Sequence, residues 1–142
     1  MFITKNSIYR KSISLFVQKI RTKINEKWVD ENGILWMKVI DGVHIDLPSL
    51  IEDAFVDTQL INGKKALALY DARAFFTITP EARDYVRSGI LNKTRIATAV
   101  VTNKLAVRIL VNFMNKFKKP KTLLKMFGNE TDALKWLHSF RS

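Results

Sequence analysis

The chain has 142 residues, 47% hydrophobic and 26% charged, a balance ordinary for a soluble globular domain with one buried core. It contains no cysteine, which excludes disulfides, thiolate metal sites and a thiol nucleophile together. The net charge is +11, and from Tyr85 to Gly128 there are ten Lys or Arg and no acid; such a half suits an anionic partner, or simply a solvated face.

Residues 1–20 are basic, Ser-bearing and acid-free, and too short in their apolar centre for a secretory signal. They are expected to form a loosely held extension ahead of a single domain over 21–142. No apolar run approaches the ~18–20 residues of a spanning helix, and the expected compartment is the cytoplasm. Arg21 to Val29 reads as a weak strand, Asp30-Glu31-Asn32-Gly33 as a hairpin turn, and Ile34 to Ile40 as a clear strand, together an antiparallel hairpin at a sheet edge. Asp46 is placed to cap the next helix. There the spacing turns Leu50, Ile51, Ala54 and Phe55 to the core and Glu52, Asp53 and Asp57 outward.

The stretch from Lys64 to Gly89 organises the rest. Ala66 to Tyr70 is apolar without a break, as in a strand covered on both faces. Asp71 opens a loop through Phe75 and Phe76, and Thr79-Pro80-Glu81 starts a helix that Gly89 closes. Arg95 to Thr102 is another buried strand. Asn103 opens the longest helix, to about Lys118, with Ala106, Ile109, Leu110, Phe113, Met114 and Phe117 as its buried stripe. The Lys118-Lys119-Pro120 corner ends it, Thr122 to Phe127 forms a last strand, and Asn129 caps a helix carrying Ala133, Leu134, Trp136, Leu137 and Phe140. The order β-β-α-β-α-β-α-β-α predicts an α/β fold: a mixed, mostly parallel sheet with an N-terminal antiparallel hairpin and crossover helices.

Three phrases carry a family resemblance: ALALYDARAFFTITPEARDYV, RIATAVVTNKLAVRILVNFMNKF and KTLLKMFGNETDALKWL, the last closing on Ala-x-x-Trp-Leu. With the element order, they resemble the STAS domains, and within them the SpoIIAA-like branch of anti-sigma-factor antagonists, over roughly Arg21 to Phe140. The resemblance implies regulation through a protein partner rather than catalysis. It also implies a switch by phosphorylation of a Ser or Thr at the start of the helix after the central strand. Thr77-Ile78-Thr79-Pro80 occupies that place, without the family's Asp-Ser-Ser phrase, and Thr79 has a structural use as a cap. A phosphate there would be stabilised by the helix N-terminus.

The residues themselves point to little chemistry. His44 and His138 are far apart and lack co-ligands at metal spacing, and no glycine-rich phosphate loop is present. No cofactor and no metal are expected, and the chain is not expected to be an enzyme. Asp71 ends a buried strand where α/β sites gather, but pairing with Arg73 is the simpler expectation. Core packing of both Phe75 and Phe76 is expected, whereas an outward ring would be an interface anchor. Thr77, Thr79, Asp71, Phe75 and Phe76 are thus the candidate partner-facing loop. Lys104, Arg108, Lys116, Lys118, Lys119 and Lys121 are the candidate contacts to an anionic partner such as nucleic acid. The leading expectation is a regulatory or scaffolding domain that binds protein, a homodimer being one form of this. The alternatives are an anionic-surface binder and a carrier of a small apolar ligand, which an apolar pocket among buried aromatics would support.

Overall fold

The computed structural model describes residues 17–116 and 123–141, with residues 113–116 described by backbone alone. The elements are β1 (Ile20–Arg21), β2 (Asn25–Val29), β3 (Leu35–Val39), β4 (Val43–Ile45), α1 (Leu47–Leu60), β5 (Ala66–Asp71), β6 (Phe76–Ile78), α2 (Pro80–Arg87), a 3-10 turn (Ile90–Thr94), β7 (Arg95–Val101), α3 (Leu105–Lys116), β8 (Leu123–Phe127) and α4 (Glu130–His138). Six strands form the main sheet in the order β1-β2-β3-β5-β7-β8. β1 and β2, and β2 and β3, pair antiparallel; the three later pairs are parallel. The expected mixed sheet with its N-terminal hairpin is therefore present. Outside the hairpin, the two-residue β1 supplies the edge.

Local chemistry explains the boundaries. Asp30 Oδ1 accepts from the Asn32 and Ile34 N–H groups, which closes the hairpin turn, and Trp28 stacks on Trp36 across it at 5.4 Å. Asp46, Thr79 and Asn129 cap α1, α2 and α4, accepting from the N–H groups of Ser49, Ala82 and Asp132. The Asp46 carboxyl is held below its usual range chiefly by the Ser49 hydrogen bond. Thr79→Ala is expected to lower stability by about 1 kcal/mol, the usual cost of a lost cap, read as a small drop in the urea midpoint.

The sheet divides two cores. Ile34, Leu67, Leu69, Ala97, Ala99 and Val101 face α4, whose Ala133 and Leu137 are fully buried against them. The other face carries Leu35, Met37, Val39, Ala68, Tyr70 and Val100 toward α1, α2 and α3. The alternation breaks once. Ala66 pairs with Arg95 but Leu67 pairs with Ala97, so Ile96 is an extra residue. This bulge turns Arg95 to the α1 side while Ala97 faces α4.

Two helices are rotated from the expected orientation. In α1 the buried residues are Leu50, Asp53 and Asp57, whereas Ile51 is 46% and Phe55 70% exposed. The acids go inward because cations wait for them. Lys27 of β2, fully buried, bonds Asp53 and reaches Asp57 at 2.5 Å, and Arg95 reaches the other Asp57 oxygen at 2.7 Å. Thr22 and Asn25 also donate to Asp53, at 2.5 and 3.1 Å. In α3 the buried stripe is Val107 and Val111 with Leu110 half-buried, and Ala106 and Ile109 face outward. Of the rest of its expected stripe, the Phe113 and Met114 side chains and Phe117 lie outside the described residues.

Candidate functional site

The candidate loop is built at the C-terminal end of β5. Asp71, buried, ends the strand, and Arg73 clasps it with two bonds of 2.9 and 2.8 Å while also meeting Glu130 of α4 at 2.5 Å. Burial raises the Asp71 carboxyl, but the Arg73 hydrogen bonds and charge, with Lys38 behind them, outweigh it and leave it below its ordinary range. A carboxyl so lowered adds stability above the unfolded-state pKa that disappears as pH falls through the lower folded value. The stability gap between wild type and Asp71→Asn is thus expected to close on acidification below about pH 4, as read by denaturant titrations across pH. Asp71 is a strut here, as the pairing with Arg73 suggested.

Beyond the strut the two phenylalanines part. Phe76 opens β6 and packs among Ile45, Leu50 and Ala82. Phe75 is 59% exposed, so the expectation that both rings fill the core is corrected. The loop is also shorter than expected, because β6 pairs in parallel with β4 from Phe76 to Ile78. Three-residue strands are too brief to show a period in the sequence. The Phe75 backbone is pinned on both sides: its N–H donates to Asp41 Oδ1 at 3.0 Å and its carbonyl accepts from the Gly42 N–H at 2.7 Å. Gly42 makes this turn at φ +80°, where a side chain would be strained. An exposed ring is thereby held on a fixed backbone.

The start of α3 completes the surface. The Lys104 ammonium lies 5.6 Å from the Phe75 ring centroid. Leu105 follows at 72% exposure and Ile109, one turn on, at 59%. Arg108 is exposed beside them. Sequence periodicity missed both apolar residues, since it had turned Ile109 inward. Of the two threonines, Thr77 is exposed with its Oγ1 2.6 Å from His44 Nδ1, and Thr79 is committed as the α2 cap. The structure thus brings Asp71, Phe75 and Lys104 to the C-terminal end of β5, with Arg108 one turn along α3, whereas Thr77 lies in β6 beside His44 and Thr79 at the start of α2. Lys116 ends α3 with its side chain undescribed, and Lys118, Lys119 and Lys121 lie outside the described residues. Among the described residues no three His, Asp or Glu side chains converge as metal ligands.

A family model described as a domain of unknown function (DUF7793) matches residues 27–141. The chain belongs to the DUF7793 family. The solved structures similar to this DUF7793 chain include an uncharacterized protein of the DUF3478 family with a SpoIIAA-like fold, from Shewanella loihica PV-4. The two share 17% identity over 85% of this chain and 91% of the other, with a TM-score of 0.57. At that identity the likeness establishes the fold, and the fold is SpoIIAA-like. No curated protein matches the chain. Among the described residues, no helix of this DUF7793 domain is long and apolar enough to cross a membrane.

Proposed function

We propose that this STAS-type domain is a non-catalytic regulatory or scaffolding module that works by docking a protein partner on the surface formed by Phe75, Leu105 and Ile109. The observation that carries the reading is Phe75, an exposed ring on a backbone fixed by Asp41 and Gly42. Aromatic anchors on rigid supports supply much of the binding energy of protein interfaces. Lys104 and Arg108, one helical turn apart, flank the apolar residues, and the whole chain carries +11. The complementary partner is therefore a protein with an apolar pocket and an acidic rim. Nucleic acid fits less well: leucine and isoleucine offer no flat face for a base, whereas single-strand sites string several aromatic platforms along a basic groove.

The test is capture from native lysate on immobilised wild type and on Phe75→Ser, with proteins and nucleic acid in the eluates both identified. An acidic protein retained by wild type at high salt and lost by Phe75→Ser supports the reading. A second copy of this chain retained in the same way moves it to self-association. Nucleic acid released by salt, with equal retention on both baits, overturns it.

A further inference from the structure

The inner sheet face is packed by two groups of helices. α1 and α2 close a core around Val39, Ile45, Leu50 and Ala82, while α3 rests through Val107 and Val111 on Ala72 and Val100. Tyr70 and Phe76 border both groups. Between them lies a cavity of about 190 Å³. Leu50, Val86 and Leu91 line it on the side of α1 and α2, and Val107, Leu110 and Leu124 on the side of α3. None of Phe75, Leu105 and Ile109 lines it, so it stands independently of the partner-binding reading.

Size and charge define what would fit. An apolar cavity of about 150 Å³ accommodates benzene, so this one has room for a compact guest of about one or two rings. Among the described residues, the charged ones on the wall are Asp53, Asp57, Arg87 and Arg95. Each is held by a group of opposite charge. Lys27 serves both acids, Asp57 meets Arg95 at 2.7 Å, and Asp84 meets Arg87 at 2.6 Å. An ion entering the cavity would therefore lose its hydration and gain no counter-charge without breaking one of these pairs. Against the aliphatic sides, a strongly polar neutral guest would leave its donors and acceptors unmade. An apolar guest meets neither cost, and it would restore the contacts that the wall of an empty cavity forfeits.

We infer that this gap is a binding site for a compact, uncharged, apolar molecule, which fills the space between α3 and the α1–α2 group and so fastens α3 to the sheet. The site selects by size and by exclusion of charge.

Toluene, benzylammonium and benzoate are probes of similar size that differ in charge. Each is titrated into the wild-type full chain, with amide shifts followed by NMR and hydrogen exchange of the α3 amides measured alongside. Toluene is expected to shift the amides of Val86, Leu91 and Val107, and the two ions to bind weaker by about tenfold or more. At a toluene concentration about ten times its Kd, exchange of the Val107 and Val111 amides should slow about tenfold, because opening α3 releases the guest. No toluene shifts up to its solubility limit, or shifts confined to residues outside the cavity, would overturn the site. Equal binding of either ion at the same residues would overturn the uncharged guest. Binding that leaves α3 exchange unchanged would overturn the fastening of α3. Leu110→Trp adds a large ring to the wall and should abolish the toluene shifts; a folded variant that still shows them contradicts the site. Should that variant not fold, the probe comparison on wild type decides alone.

Discussion

Asp57→Ala is expected to destabilise the domain by about 3–5 kcal/mol, the cost of breaking a buried ion pair by removing one partner. Asp57 joins two cations from different strands, Lys27 at 2.5 Å and Arg95 at 2.7 Å, and all three side chains are almost fully buried. Without it, the side-chain partners of Arg95 among the described residues are the Thr94 hydroxyl and the Met37 sulfur. Phe55→Ala, two residues earlier on the same helix, is expected to stay within about 0.5 kcal/mol, because that ring is 70% exposed. Urea unfolding of both variants measures the difference. The contrast is diagnostic: in the orientation that hydrophobic spacing suggests for α1, the ranking would be reversed.

Leu69→Ala is the second large effect, at about 2–5 kcal/mol. Leu69 lies in β5 between β3 and β7, is 0% exposed, and belongs to the core that α4 closes with Ala133 and Leu137. Its removal leaves a cavity where strands pair on both sides and little can collapse. A loss below about 1 kcal/mol in the same unfolding assay would mean that α4 is not seated on this face.

These two residues also show what the sequence could reveal. Leu69 sits in an unbroken apolar run, and the shortness of that run between the Asn62-Gly63 turn and Asp71 marks it as a strand covered on both faces. Thr79-Pro80 and Asn129 announced their helices just as directly, through caps that act within three residues. Asp57 was misplaced because its partners lie 30 and 38 residues away in the chain. Lys27 is one of several charges in a weakly patterned strand, and Arg95 reaches α1 through the bulge at Ile96. With its acids assumed outward, α1 was given the wrong face.

The site follows the same division. The loop position of Asp71 and its bond to Arg73 were local and legible. The exposure of Phe75 was not, because it depends on Asp41 and Gly42, more than thirty residues earlier, holding that backbone. Leu105 and Ile109 were hidden for a related reason. The α3 sequence is apolar enough to offer two stripes, and tertiary packing selected Val107 and Val111.

The Phe75 surface is proposed as a protein-docking face on a scaffold with a SpoIIAA-like fold. The most direct test is titration of the captured partner against wild type and Phe75→Ser at about 50 and 200 mM salt, with thermal unfolding of both chains alongside. An affinity loss of tenfold or more is expected for Phe75→Ser at either salt, with an unchanged unfolding midpoint. Unchanged affinity, or a weakening that tracks a lower midpoint, would contradict it.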